Sequence, residues 1–131
     1  MTFTIWHRRH CLKACIVAAA VVLLMSTAYA ADFGAADVPT IVSTYRQNSV
    51  RFKRDFVGKT FSAILRFDSA SEHFWGSLTA AFDGGNVICL SITGDTTKIA
   101  DWNQGDHIKV DGTVYDVTLG ALQLKPCALY K

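Results

Sequence analysis

The sequence predicts a mostly β domain, a small closed barrel of five strands that follows an N-terminal helix and a removable leader. Alternating or wholly apolar runs recur from Thr60 onward and are separated by polar and glycine-containing segments, which is typical of short strands. Residues 36–56 instead have helical spacing. A polar break between the third and fourth strands favours a closed barrel over a parallel sheet.

The first 30 residues are organised like a secretory signal peptide. Two arginines and a lysine precede an apolar run at residues 14–25, and Ala28-Tyr29-Ala30 then supplies a small-x-small cleavage site. A membrane anchor is the weaker interpretation, because the run is shorter than the roughly 20 residues of a spanning helix. We therefore predict a periplasmic or secreted protein, cleaved after Ala30, with one domain at residues 31–131 and no stable membrane insertion after cleavage.

Removal of the leader changes the charge of the protein. Ten of the 13 lysines and arginines and all 11 acidic residues lie beyond residue 30, so the net charge falls from +2 to −1. This balance disfavours nucleic acid as a partner, since proteins that bind it are usually basic.

Two of the four cysteines, Cys89 and Cys127, remain after cleavage. An even number of cysteines in an oxidising compartment favours one disulfide, with a free buried thiol or a metal site as alternatives. Zinc needs three or four closely spaced ligands, and only His73 and His107 are on hand, far from any C-x-x-C pair. No metal and no cofactor are predicted.

The predicted helix, at about residues 36–56, places Val38, Ile41, Val42 and Tyr45 on one face. Basic residues occupy its other faces and the segment that follows: Arg46, Arg51, Lys53, Arg54 and Lys59. This basic group has two interpretations, a solvated surface or a docking surface for an anionic partner.

The barrel is predicted at about residues 59–127. The first strand covers residues 60–67 and is followed by a polar loop at 68–73; the second covers 74–82 and forms a hairpin with a third strand at 86–92 through an Asp-Gly-Gly turn. After the break, a fourth strand covers 107–117. A shift in apolar parity predicts a bulge at Gly120-Ala121, and Pro126 is expected to end the fifth strand.

Several short motifs follow one another in an order seen in one protein family. They are Tyr45 and Asn48, then Phe56-Val57-Gly58-Lys59, Val87-x-Cys89, Gly105-Asp106-x-Ile108-x-Val110-x-Gly112 and Leu124-x-x-Cys127. Over residues 45–127 the chain resembles the bacterial tRNA_anti-like family of small exported OB-fold proteins. The resemblance implies an OB barrel in which the third and fifth strands are neighbours, so that Cys89 and Cys127 would meet and tie the barrel shut. The family's name is not evidence of tRNA binding by this chain.

The sequence contains no recognisable catalytic constellation. A nucleophile needs a base that is oriented by a third group. His73 lies in a predicted polar loop and His107 on the polar side of a strand, and neither is next to an acid that would pair with it. We predict no catalytic residue and no enzymatic activity.

Binding is the remaining class of function. OB-folds bind through the face of strands two and three and the adjoining loops. Trp75 lies beside the first of these loops and Arg66 just before it, and an aromatic ring beside a cation suits stacking with a ligand. Alternatively, Trp75 packs the end of the barrel, and Trp102 is expected to plug the core.

These observations predict an exported binding or accessory module of the bacterial envelope, with a protein or an envelope polymer as the favoured ligand. The alternatives are a structural subunit of an envelope assembly and a weak oligonucleotide or nucleotide binder.

Overall fold

The computed structural model describes residues 30–73 and 75–131, so the predicted leader lies outside the described residues except for Ala30. Helices α1 (Val38–Gln47) and α2 (Ser49–Asp55) precede six strands. The strands are β1 (Thr60–Glu72), β2 (Leu78–Phe82), β3 (Val87–Cys89), β4 (Ile92–Thr93), β5 (His107–Thr118) and β6 (Ala121–Tyr130). Short 3₁₀ turns form at Ala35–Asp37 and Thr97–Asp101.

Five of the strands close into a ring, which confirms the predicted small barrel. The sheet order is β3-β2-β1-β5-β6-β4, and β3 also pairs with β6. The closing pair is parallel and sets Cys89 beside Leu124, whereas the other pairs of the ring are antiparallel. The inward side chains form one core, whose largest fully buried members include Phe52, Phe61 and Phe82.

The predicted helix is present, but it is broken at Asn48. This residue has an extended backbone (φ −160°, ψ 94°), and its side-chain oxygen accepts a hydrogen bond from the Arg51 amide at 2.9 Å. Asparagine is among the best N-cap residues, so Asn48 ends α1 and starts α2. The prediction of one continuous helix over residues 36–56 was wrong at this point.

The first strand is longer than predicted. Residues 69–72 pair with β2, from Ser69 opposite Ala81 to Glu72 opposite Leu78, after an irregularity next to Phe67. The predicted polar loop at residues 68–73 was therefore wrong, because pairing with β2 extends the strand through residues whose side chains are mostly exposed. The second strand correspondingly begins at Leu78 and not at residue 74.

The predicted third strand is divided into β3 and β4. Ser91 has a φ of +51° and interrupts the run, and both pieces pair in parallel with β6. The Asp-Gly-Gly turn predicted between β2 and β3 is present, with positive φ at Asp83, Gly84 and Gly85.

Two predictions about the last strand were wrong. Leu119 and Gly120 both have positive φ and form the tight turn between β5 and β6, so the change in parity marks a hairpin and not a bulge. Pro126 does not end the strand, which continues to Tyr130. Lys125 and Pro126 together face the single residue Thr113, between the pairs Gly112–Cys127 and Val114–Leu124. Bulges are among the few sheet positions that tolerate proline.

The segment after the predicted cleavage site belongs to the fold. Phe33 bridges to Phe61 in parallel, and the Asp32 carboxylate accepts hydrogen bonds from the amide and the hydroxyl of Thr60, both at 3.0 Å. The Phe33 ring also packs on the Phe56 ring, with centroids 5.1 Å apart.

The barrel has two different ends. At the helical end, α1 lies against the β2–β3 and β5–β6 turns. At the hairpin end, the tip of the β1–β2 hairpin lies near the 3₁₀ turn Thr97–Asp101. Trp102 packs edge-on against Phe67 there, with centroids 5.5 Å apart, which confirms its prediction as a core plug. Among the described helices, none has the length and apolar character needed to cross a membrane.

Candidate functional site

The hairpin end contains an open cleft of about 660 Å³. It lies between the projecting part of the β1–β2 hairpin and the 3₁₀ turn Thr97–Asp101. Apolar side chains and hydroxyl groups line it together with one carboxylate: Phe67, Leu78, Ile99, Trp102, Ser69, Thr96, Thr97 and Glu72. Its volume lies within the range that small-molecule sites occupy.

The cleft exists because β1 continues beyond its neighbour β5. Strand β5 pairs with β1 only from Thr60 to Arg66. The connection before β5 then bonds to Phe67 through the backbone of Gly105 and Asp106. Beyond that point, residues 69–72 have β2 on one side and no other strand of the described chain on the other. This stretch is an open strand edge on the wall of the cleft.

Trp75 lies at the rim of this cleft. It follows β1 in the hairpin turn, beside Gly76, which lines the cleft, and its side chain is 89% exposed. Trp75 therefore does not pack the end of the barrel, the alternative that the sequence left open.

Arg66 and Trp75 are not brought together. Glu72 lies six positions beyond Arg66 on β1, a span of roughly 20 Å along a strand. The two predicted ligand-binding residues lie apart because the first strand is longer than the sequence indicated. Arg66 instead pairs with His107 on β5. The neighbouring row on the same outer face consists of the paired residues Ile64, Lys109 and Tyr130. The Lys109 ammonium is 5.9 Å from the centre of the Tyr130 ring.

The outer face of β2 and β3 has few features that a ligand could recognise. Paired residues share a face of a sheet, and here they are small, aliphatic or uncharged: Ser71, Thr79, Ala81, Ile88 and Gln123. This face therefore offers neither a ring for stacking nor a cation for phosphate.

The predicted basic surface lies at the helical end, where Arg46, Arg51, Lys53, Arg54 and Lys59 are all exposed. Arg54 bonds to Asp55 at 2.6 Å, and this hydrogen bond lowers the pKa of the Asp55 carboxyl. Lys59 lies 5.9 Å from the centre of the Phe33 ring. Arg46 lines a second cleft, of about 410 Å³, between α1 and the turns of the barrel.

The two histidines lie apart from one another. His73 Nε2 is 2.9 Å from the Thr79 hydroxyl, and His107 is exposed on β5. Over residues 30–73 and 75–131, no group of three or more His, Cys, Asp or Glu side chains is placed to hold a metal ion.

Cys89 and Cys127 form a disulfide with Cα atoms 5.7 Å apart, the pairing that the sequence favoured. Both residues are buried, and the bond joins β3 to β6 at the seam that closes the ring.

The cleft residues Ser69, Thr96 and Thr97 were not predicted from the sequence. No local pattern marks them, because they become neighbours only through the length of β1 and the position of the 3₁₀ turn.

No protein-family model matches the chain, and no curated protein matches it either. The resemblance to the tRNA_anti-like family therefore stays a hypothesis.

Proposed function

We propose that the chain is an exported, non-enzymatic binding module of the bacterial envelope and that the hairpin-end cleft is its ligand site. The observation that carries this proposal is the open edge of β1 at residues 69–72, which forms a wall of a 660 Å³ cleft above Trp102. The Cys89–Cys127 disulfide supports an oxidising compartment. The closed ring of five strands supports the OB-fold assignment and, through it, the proposed family.

The shape and chemistry of the cleft favour an extended ligand, a protein segment or an envelope polymer. An open strand edge offers backbone donors and acceptors along a line, which is how peptide strands are bound. The Thr96 hydroxyl offers a hydrogen bond beside the apolar floor, and the Thr97 hydroxyl, which donates to the Asp95 carboxylate at 2.6 Å, can accept one. The exposed Trp75 ring adds a flat surface at the rim on which a sugar or an aromatic side chain can stack.

A binding module is favoured over a structural subunit by the distribution of exposed apolar side chains. The exposed large apolar residues lie in several separate places: Val50 and Val57 at the helical end, Ile64 on β1 and Tyr130 on β6 in one row of the outer face, Tyr115 on β5, Trp75 in the β1–β2 turn and Leu119 in the β5–β6 turn. Apolar residues scattered in this way are normal on a soluble surface, whereas a contiguous patch marks an assembly interface.

Site-specific photo-crosslinking in a producing bacterium tests the proposal. A photoreactive residue at Thr97 or Trp75 should give a discrete adduct with a protein or a polymer, whereas the same residue at Leu119, at the opposite end of the barrel, should not. Ala70→Arg, which fills the cleft from an exposed position of β1, should abolish the Thr97 adduct. Adducts at Leu119 alone, or adducts at Thr97 that persist in Ala70→Arg, would contradict the cleft as the binding site.

A further inference from the structure

The charges of the described chain are segregated between the helices and the barrel. Residues 31–59 contain five basic residues, all at positions 46–59, and three acidic residues, Asp32, Asp37 and Asp55, of which Asp55 is already bonded to Arg54. Residues 60–131 contain five basic and eight acidic residues. The helical end is therefore positive and the barrel negative, although the mature chain as a whole is close to neutral.

The positive end also exposes two aliphatic side chains. In α2 the buried side is Phe52, and Val50, Lys53 and Arg54 lie on the opposite side of the helix. Val57 lies in the turn that follows α2. Val50 is 76% exposed and Val57 is 38% exposed. One side of the helical segment thus combines cations with aliphatic groups that have no place in the core.

We propose that this surface, formed by Arg46, Val50, Arg51, Lys53, Arg54, Val57 and Lys59, docks on a bilayer that contains anionic phospholipids. Charge complementarity carries the proposal, since basic side chains close to an anionic leaflet are attracted to its phosphates. The two valines select a bilayer over a soluble polyanion, because only a bilayer places an apolar layer directly beneath its charges.

The same charge distribution sets the orientation of the docked protein. An anionic surface attracts the helical end and repels the barrel, whose net charge over residues 60–131 is −3 from the residues just counted. The hairpin-end cleft lies at the opposite end of the barrel from α1, so it faces away from the membrane. The cleft takes no part in this docking, so the proposal does not depend on the proposed function.

Co-sedimentation of the purified exported protein with vesicles tests this proposal. Vesicles of phosphatidylglycerol mixed with phosphatidylcholine should bind the protein, and vesicles of phosphatidylcholine alone should not. Because each basic residue near an anionic surface strengthens the attraction several-fold, Lys53→Glu/Arg54→Glu should weaken binding by roughly tenfold or more. Lys98→Glu/Lys125→Glu makes the same change in net charge at exposed positions outside the helical end and should retain binding.

Two further measurements separate a bilayer from other anionic partners. Val50→Ser/Val57→Ser should weaken binding to the mixed vesicles while leaving retention on dextran sulfate unchanged. Lys53→Gln/Arg54→Gln, compared with the parent by circular dichroism and thermal melting, shows whether loss of binding reflects lost charge or lost structure. Equal binding of all variants to the vesicles, or binding to dextran sulfate without binding to the vesicles, would overturn the proposal.

Discussion

Gly112 on β5 lies directly against Cys127 on β6. A Cβ atom at Gly112 would come within 3.1 Å of the Cys127 sulfur and 3.0 Å of the Leu124 Cβ. Both neighbours are buried parts of the core, so neither has an open direction in which to move. The disulfide at the closing seam therefore depends on a residue without a side chain on the adjacent strand.

Gly112→Ala should lower the free energy of unfolding by about 1–3 kcal/mol, the usual cost of overpacking a core. Urea denaturation of the purified protein measures this change. Gly34→Ala is a matched control, because its added Cβ would meet only an ordinary contact of 3.5 Å with the Ser62 carbonyl oxygen. Equal stability of the two variants would show that β5 and β6 can separate at no cost.

Replacing both Cys89 and Cys127 by alanine should lower the free energy of unfolding by about 2–4 kcal/mol. The reason is that the bond, between cysteines 38 residues apart, restricts the unfolded chain. Thiol titration of the native exported protein should detect no free sulfhydryl. Reduction of the parent should bring its stability down to near that of the double variant. Two reactive thiols in the native protein would refute the pairing.

The Asp32 carboxylate should make stability depend on acid pH. The Thr60 amide, and then the Thr60 hydroxyl, donate hydrogen bonds that lower the pKa of Asp32 below 3.8. A carboxyl with a lowered folded pKa stabilises the protein above its unfolded pKa, and the stabilisation disappears as the pH falls through the folded value. Asp32→Asn should therefore be less stable than the parent at about pH 7, with a smaller difference at about pH 3.

Urea midpoints at the two pH values test this dependence. Asp101→Asn changes an exposed carboxyl that makes none of the hydrogen bonds found in the described part of the chain, and it should follow the parent at both pH values. A difference between Asp32→Asn and the parent that does not change with pH would contradict the assigned role of Asp32.

Mass spectrometry of the exported protein should find Ala31 at the N-terminus. Asp32 and Phe33 are held against β1, so cleavage after Ala30 would leave these contacts intact. Ala30→Arg should block processing, because signal peptidases require a small residue there, whereas Ala36→Arg should not. Residues 1–30 retained on the parent protein in a membrane fraction would refute the leader.

Oligonucleotides should bind weakly, with no submicromolar affinity at about 150 mM salt. The outer face of β2 and β3 offers no aromatic or basic group, which leaves only the basic surface at the helical end. Any binding at low salt should therefore be lost in Lys53→Glu/Arg54→Glu, as fluorescence anisotropy would show. Tight binding at about 150 mM salt would reverse the preference for a protein or polymer ligand.

Local sequence patterns were sufficient for much of the fold. The apolar spacing of α1 and the Asp-Gly-Gly turn follow from residue type and short-range spacing, and the pairing of Cys89 with Cys127 follows from their being the two cysteines beyond the predicted leader. The packing of Trp102 against the core was also predictable, since a large ring between two barrel strands readily makes such contacts.

Features that depend on a distant strand were not predictable. Residues 68–72 look like a loop until β2 pairs with them. Pro126 looks like a strand end until Thr113 is found opposite both Lys125 and Pro126. The first of these errors also affected the prediction of the candidate site. An underestimated first strand placed Arg66 next to Trp75, whereas the true length of β1 separates them and creates the cleft.

The open edge of β1 also governs how the protein behaves at high concentration. Backbone groups that can receive a ligand can equally receive the edge of another copy, which is how soluble β proteins begin to aggregate. Here the exposed stretch is only four residues long, and it ends in the negative charge of Glu72. Two copies would bring these charges close together, so the stretch resists self-association while it stays available to a ligand. Occupancy of the cleft should consequently make the protein more soluble, and Glu72→Val should make the empty protein prone to precipitate.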